Sequence, residues 1–300
     1  MAPRTGDVRL GVVLMPTDPW PESVALARRV EALGYHHLWV YDHLTWRRYR
    51  DRPWHGIYPW LTGIAAVTER IRVGTMVSNP NIRHPVTLAK DAMTIDHISD
   101  GRLTIGLGAG GIGFDATAFG QDELTPGQRI ERFTEFAVVL GGLLRGELTD
   151  HEGRWYTVNE ARMIPGCVQT PRVPVALAGR GPRGVQVAAR LGDAWITNGG
   201  PDDDVSPAEH REAIAAQVRL FERTCVDAGR DPATVDRMVM ISGLDGDPMG
   251  SIENFDETVT YYRGLGFTDL VFHHPRPDDA HWNHPPEIVD AVAERYLSWS

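Results

Sequence analysis

The chain has 300 residues, 42% hydrophobic and 23% charged, enough for one large core or two smaller ones. A net charge of -10 and a pI near 5.6 argue against a nucleic-acid partner, which needs a clustered basic face. Two distant cysteines, Cys167 and Cys225, exclude a disulfide framework and fit a reducing, cytoplasmic setting. The start M-A-P-R-T-G-D carries no apolar signal core, and no window is apolar enough to span a membrane.

Taken in order, Leu10 to Met15 is a continuous apolar strand broken by Pro16 to Pro19. Pro21 to Leu33 has helical spacing and stops at Gly34. His37 to Val40 is a strand ending in Y-D-H, followed by a loop rich in Trp and Arg. Within it Arg47, Arg48, Arg50 and Arg52 read either as a solvated face or as a mouth for an anionic ligand. Pro59 to Glu69 is helical, Ile71 to Met76 a strand, Pro85 to Ser99 a helix and Leu103 to Leu107 a strand. This strand, crossover helix and strand demand a parallel pair.

An irregular stretch leads to a helix over Gln128 to Arg145, and Thr149 to Val158 reads as a hairpin turning at Glu152-Gly153. Strands at Val173 to Ala178, Ala194 to Thr197, Val235 to Ser242 and Leu270 to Phe272 alternate with helices. Those helices cover Pro182 to Leu191, Pro207 to Gly229, Ile252 to Leu265 and Pro285 to Trp299. Eight strand–helix units without a dividing linker predict a single domain over 1–300. Its fold is an α/β (β/α)8 TIM barrel with insertions at the C-terminal face; an open doubly wound sheet is the alternative.

In such a barrel the strand ends pool the chemistry. Asp42-His43 follows the second strand, where an imidazole can move a proton and a neighbouring carboxylate can fix its tautomer. The plain alternative is a loop histidine bonded to backbone. Ala178-Gly179-Arg180-Gly181-Pro182-Arg183 joins a strand to a helix start and reads as a phosphate cradle or an ordinary tight turn. The glycines from Gly106 to Gly111, Gly108 among them, make a poor dinucleotide motif and are read as leaving room for a flat ligand. His273 ends the last strand, so it can face the mouth as a substrate contact. No metal site is expected: neither H-E-x-x-H nor an H-x-H on the first strand occurs.

Together L-W-V-Y-D-H, V-G-T-M-V-S-N-P-N-I-R-H-P, D-G-R-L-T-I-G-L-G-A-G and A-R-L-G-D-A-W-I resemble the bacterial luciferase-like monooxygenase superfamily. More narrowly they are similar to its branch using the deazaflavin coenzyme F420. The resemblance covers nearly the whole chain and implies a (β/α)8 barrel, usually a homodimer, with the ring in the barrel mouth. It implies that His43, with Asp42 before it, sits by the reactive ring face; the expected mechanism has Asp42 orienting the imidazole. It implies a cis bond at Met76-Val77 behind the ring, and Ser78 and Asn79 on the ring's polar edge. Backbone at Ala178, Gly179, Arg180 and Gly181 would hold the cofactor phosphate, with Arg183 beside it.

Two positions depart from the pattern. Gly111 stands where some F420 dehydrogenases carry a Glu, and Arg47 where they place a Trp, with Trp46 adjacent. The departures point away from sugar-phosphate or simple alcohol oxidation, towards another substrate or an activated C=C or C=N bond. The expected function is hydride transfer between F420 and a small organic substrate, with His43 handling the proton. Trp46, Trp54, Tyr49 and Tyr58 would form a lid over the substrate, or else pack under a long loop. The rivals are an FMN-dependent monooxygenase and a flavin-binding barrel without catalysis.

Overall fold

A computed structural model describes residues 8–46, 49–146, 149–200 and 205–297. Eight parallel strands close into a barrel in the order β1-β10-β9-β8-β7-β4-β3-β2. They are β1 (Arg9–Leu14), β2 (His37–Val40), β3 (Arg72–Ser78), β4 (Leu103–Leu107), β7 (Val175–Ala178), β8 (Ala194–Thr197), β9 (Asp236–Met240) and β10 (Asp269–His273). β5 (Thr149–Glu152) and β6 (Thr157–Ala161) form a separate antiparallel hairpin. Strands covered on both faces carry apolar runs, which is why they were legible: β2, β4, β8 and β10 are buried at every position, the polar ends His37, Asp269 and His273 included. No helix among the described residues is long and apolar enough to cross a membrane.

The helices are α1 (Trp20–Ala32), α2 (Ile57–Val67), α3 (Pro85–Ile98), α4 (Phe114–Thr117), α5 (Pro126–Leu144), α6 (Pro182–Leu191), α7 (Pro207–Asp227), α8 (Ile252–Gly264) and α9 (Glu287–Tyr296). α5 begins two residues before the sequence expectation, because Thr125 and Gln128 close a reciprocal capping box. α7 starts in the same way through Ser206 and Glu209. α2 begins at Ile57 rather than Pro59, which draws Tyr58 out of the expected lid and into a helix. α4 has no counterpart in the sequence reading; four residues are too few to show a period.

The residues group into two compact units, each described by itself. The first comprises 1–14, 27–39 and 179–300. At its strand starts, Arg9 donates from Nε to Asp269 at 2.8 Å and pairs with Asp236 at 2.6 Å, tying β1 to β9 and β10. Trp195 lies fully buried against Phe221, ring centroids 4.9 Å apart. The second unit comprises 15–26 and 40–178. Here the Arg102 guanidinium donates to the carbonyls of Ala65 (2.7 Å), Thr68 (2.9 Å), Ile71 (2.8 Å) and Ser99 (2.7 Å). It thereby satisfies carbonyls left over where α2 and α3 end.

Candidate functional site

β3 runs two residues further than its apolar run predicts, and its register against β4 shifts between Thr75 and Ser78. The Met76–Val77 peptide bond is cis, as the resemblance implies. Val77 is half-buried at this bulge, and Met76 is 5% exposed. The bulge explains two glycines of β4 and its end. A Cβ on Gly106 would overlap the Thr75 carbonyl oxygen, and one on Gly108 would stand 2.6 Å from Val77 Cγ2. The space that the sequence reading gave to a flat ligand at Gly108 is therefore taken by β3. The surface left on this side is the Val77 bulge.

Ser78 and Asn79 turn their side chains inward. Ser78 Oγ shares a 2.8 Å hydrogen bond with Tyr58 Oη. Asn79 Oδ1 accepts from Asn81 N at 3.0 Å, and its amide donates to the Asp42 carbonyl at 3.4 Å. Burial raises the Tyr58 hydroxyl pKa, and the Asp42 charge adds to this, so the group is a neutral hydroxyl braced on Ser78. Tyr58 is thus a support beneath the site and not part of a lid.

His43 and Asp42 part company. Asp42 is fully buried, and Arg83 grips both its oxygens at 2.9 and 2.6 Å. The carboxylate beside the His43 ring is Asp115, on α4: Nδ1 of His43 bonds to its Oδ2. The other oxygen of Asp115 accepts from Leu44 N at 3.0 Å. Asp42 therefore does not orient the imidazole; its side chain is spent on holding the β3–α3 turn through Arg83. No described residue engages His43 Nε2, and the side chain is 28% exposed.

Aromatic rings wall this imidazole. Trp46 lies near-parallel to it with centroids 6.1 Å apart, Trp54 stands edge-on at 6.1 Å and Tyr41 edge-on at 6.2 Å. Tyr49, 2% exposed, packs on Trp46 and Trp54 at 6.1 and 6.0 Å. The aromatic loop thus both packs together and surrounds His43. Of the basic run, Arg50 covers the Phe114 ring at 3.8 Å and Arg52 lies 5.5 Å from the Tyr49 ring; both are exposed. Arg47 and Arg48 lie outside the described residues.

The turn after β7 is built as a helix start. Gly179 donates to the Ile196 carbonyl at 3.0 Å and accepts from Trp195 Nε1 at 2.9 Å. Its missing side chain admits the first turn of α6, whose Val185 nitrogen a Cβ would meet at 2.6 Å. Gly181 is the N-cap and no side chain caps the helix, so the amides of Arg183 and Gly184 have no partner within it. Ala178 ends β7, Arg180 donates to the Gly200 carbonyl at 3.3 Å, and Arg183 is exposed. Gly179 is therefore structural, and the anion-ready groups lie at Arg180 to Gly184.

His273 is covered: Trp282 stacks on its ring at 3.9 Å. His36, His37 and Asp269 bring possible metal-ligand atoms within 4.8 Å of one another. They lie where β2 and β10 start, and Arg9 occupies both oxygens of Asp269, which disfavours a cation there. Sequence reasoning missed Asp115 and the use of Arg83. The one pointer to Asp115 was Gly111, four residues earlier, where a carboxylate is missing from the expected pattern.

A closed parallel barrel with an imidazole–carboxylate pair and aromatic walls beyond its strand ends has the build of a barrel enzyme acting through its βα loops. The sequence profile of the luciferase-like monooxygenases matches residues 4–244, and the chain belongs to that family. It is 30% identical over 231 residues to an F420-dependent hydroxymycolic acid dehydrogenase of Mycobacterium tuberculosis, covering 75% of this chain and 59% of that relative's length. It is 26% identical over 294 residues to an F420-dependent glucose-6-phosphate dehydrogenase of Beutenbergia cavernae, covering 83% and 86% of the two chains. Among solved structures, an F420-dependent secondary alcohol dehydrogenase in complex with an F420-acetone adduct shares the fold, with TM-score 0.78 and 16% identity over 96% of this chain and 98% of that one. The monooxygenase RslO1 from Streptomyces bottropensis does so with TM-score 0.73 and 21% identity over 97% and 98%.

Proposed function

We propose that this protein is an F420-dependent oxidoreductase acting on a small organic substrate, with His43 as the proton donor or acceptor. The carrying observation is the imidazole at the end of β2, held through Nδ1 with Nε2 left over, inside an aromatic wall. Names of relatives at 26–30% identity support the cofactor.

The residues present suit such a group. The Val77 bulge, backed by Gly106 and Gly108, offers a firm apolar surface for a flat ring. In the other unit, taken by itself, the uncapped start of α6, with Arg180 and Arg183, suits a phosphate group. When bound, the deazaflavin supplies the hydride chemistry; the chain supplies position and proton handling. His43 Nε2 gives or takes a proton at the substrate heteroatom or carbon. Trp46 and Trp54 exclude water and bound the substrate's volume. Met76 and Val77 would hold the ring, while Ser78 and Asn79 brace that backbone through their buried hydrogen bonds. A homodimer, common in the family, is part of the same reading.

A second reading, an FMN-dependent monooxygenase, is kept because the matching family is that of the luciferase-like monooxygenases. Titration of the purified protein with F420 and with FMN, followed by ligand fluorescence, separates the two. Saturable binding of F420 alone is expected; binding of FMN alone, with oxygen consumed when the FMN is reduced, would favour the rival. His43→Ala is expected to keep F420 binding and to lower turnover about 100- to 10,000-fold. Unchanged turnover removes His43 from the mechanism.

A further inference from the structure

The proton chemistry assigned to His43 requires one particular tautomer, and the geometry points to Asp115 as the residue that sets it. Asp115 is a positioning residue, supplied by the β4–α5 connection and not by the end of β4. This inference rests on the proposed function only for the use made of Nε2; the tautomer is a property of the protein alone.

Three observations carry it. First, the two oxygens of Asp115 are divided: Oδ2 faces His43 Nδ1 and Oδ1 accepts from Leu44 N at 3.0 Å. A carboxylate only accepts, so the proton shared with the imidazole sits on Nδ1 and leaves Nε2 with its lone pair outward. Second, the carboxylate is sheltered. Asp115 is 8% exposed, and Arg50 clamps the neighbouring Phe114 ring at 3.8 Å. Third, the two positions from which the sequence suggests a carboxylate do not supply one to the ring: Asp42 is bound on both oxygens by Arg83, and position 111 has no side chain.

The backbone bond from Leu44 makes the inference testable with one atom changed. In Asp115→Asn the amide oxygen keeps the Leu44 bond, which turns the amide NH2 towards His43 Nδ1. A donor there forces Nδ1 to accept, so the ring proton moves to Nε2. The shape of the site is kept and the tautomer is inverted.

The test is nitrogen NMR of the protein labelled at histidine, without cofactor, the His43 signals being assigned by their loss in His43→Gln. The wild type is expected to show Nδ1 protonated and Nε2 unprotonated in its neutral form. Asp115→Asn is expected to show the reverse, with an unchanged melting temperature and unchanged F420 affinity. In Asp115→Ala the preference for Nδ1–H is expected to be lost. The same neutral tautomer in wild type and both variants overturns the inference, as does Nε2–H in the wild type. Failure of the protein to bind F420 defeats the proposed function and leaves the tautomer result standing, so the two are told apart.

Discussion

Gly106 sits where β3 leans hardest on β4, with the Thr75 carbonyl filling the place of a side chain. Carbonyl oxygens belong to the backbone and cannot swing aside as a long side chain can. Gly106→Ala is expected to cost about 3 kcal/mol in urea unfolding, as overpacking of a tight core does. Gly111→Ala is the control: nothing lies within 4 Å of its added carbon, and a change within about 0.5 kcal/mol is expected. A loss at Gly111 equal to that at Gly106 would mean that the clash is not the cause. At this scale the sequence was half legible. His43 could be singled out because it follows an apolar strand. Its partner could not, because neighbours in sequence pointed to Asp42, while the fold gives Asp42 to Arg83 and brings Asp115 from 72 residues away. The glycine run was visible, but what fills its space depends on the register shift of β3, which no periodicity announces.

Elements were read more reliably than contacts. β2, β4, α6 and β8 have the bounds expected from apolar runs and from Pro and Gly punctuation. α4 escaped because one turn has no pattern, and it carries Asp115. The hairpin of β5 and β6 was legible from Glu152-Gly153, whereas its docking was not: Glu135 of α5 accepts from the amides of Trp155 at 3.1 Å and Tyr156 at 2.8 Å. D-G-R-L, part of the family likeness, turns out to be architectural. Arg102 serves four carbonyls from the α2–β3 and α3–β4 connections, a planar fork that an ammonium cannot copy. Arg102→Lys is expected to lose about 3 kcal/mol of stability while F420 affinity of the folded protein holds. A lysine variant as stable as the wild type would show that those carbonyls find other donors.

For the molecule as a whole, the alternation of eight strands and helices was enough to read a closed barrel, because a parallel strand needs a crossover each time. Charge placement inside it was not readable. Arg9 opens β1 and binds Asp269 of β10, which is 2% exposed, and Asp236 of β9. Burial raises the Asp269 pKa above the ordinary carboxylate range, and Arg9 offsets part of that rise. A group raised by folding favours the fold below its unfolded pKa and loses that contribution as pH rises through the folded value. Removing Arg9 raises Asp269 further. Arg9→Met is therefore expected to cost about 3 to 5 kcal/mol at neutral pH and less in acid, where the carboxyl is neutral. Urea unfolding of both proteins across that range measures the gap, and a gap that does not narrow on acidification would contradict the assignment.

The location of Asp115 has a practical corollary. Its short helix is an excursion between two barrel elements, flanked by the outward-facing Ile112 and Phe119, which are 72% and 63% exposed. On the inference above, replacing this excursion with that of a relative that differs at position 115 is expected to change the tautomer of His43 while the sequence of the barrel strands is kept, provided that the Leu44 bond to that position is preserved.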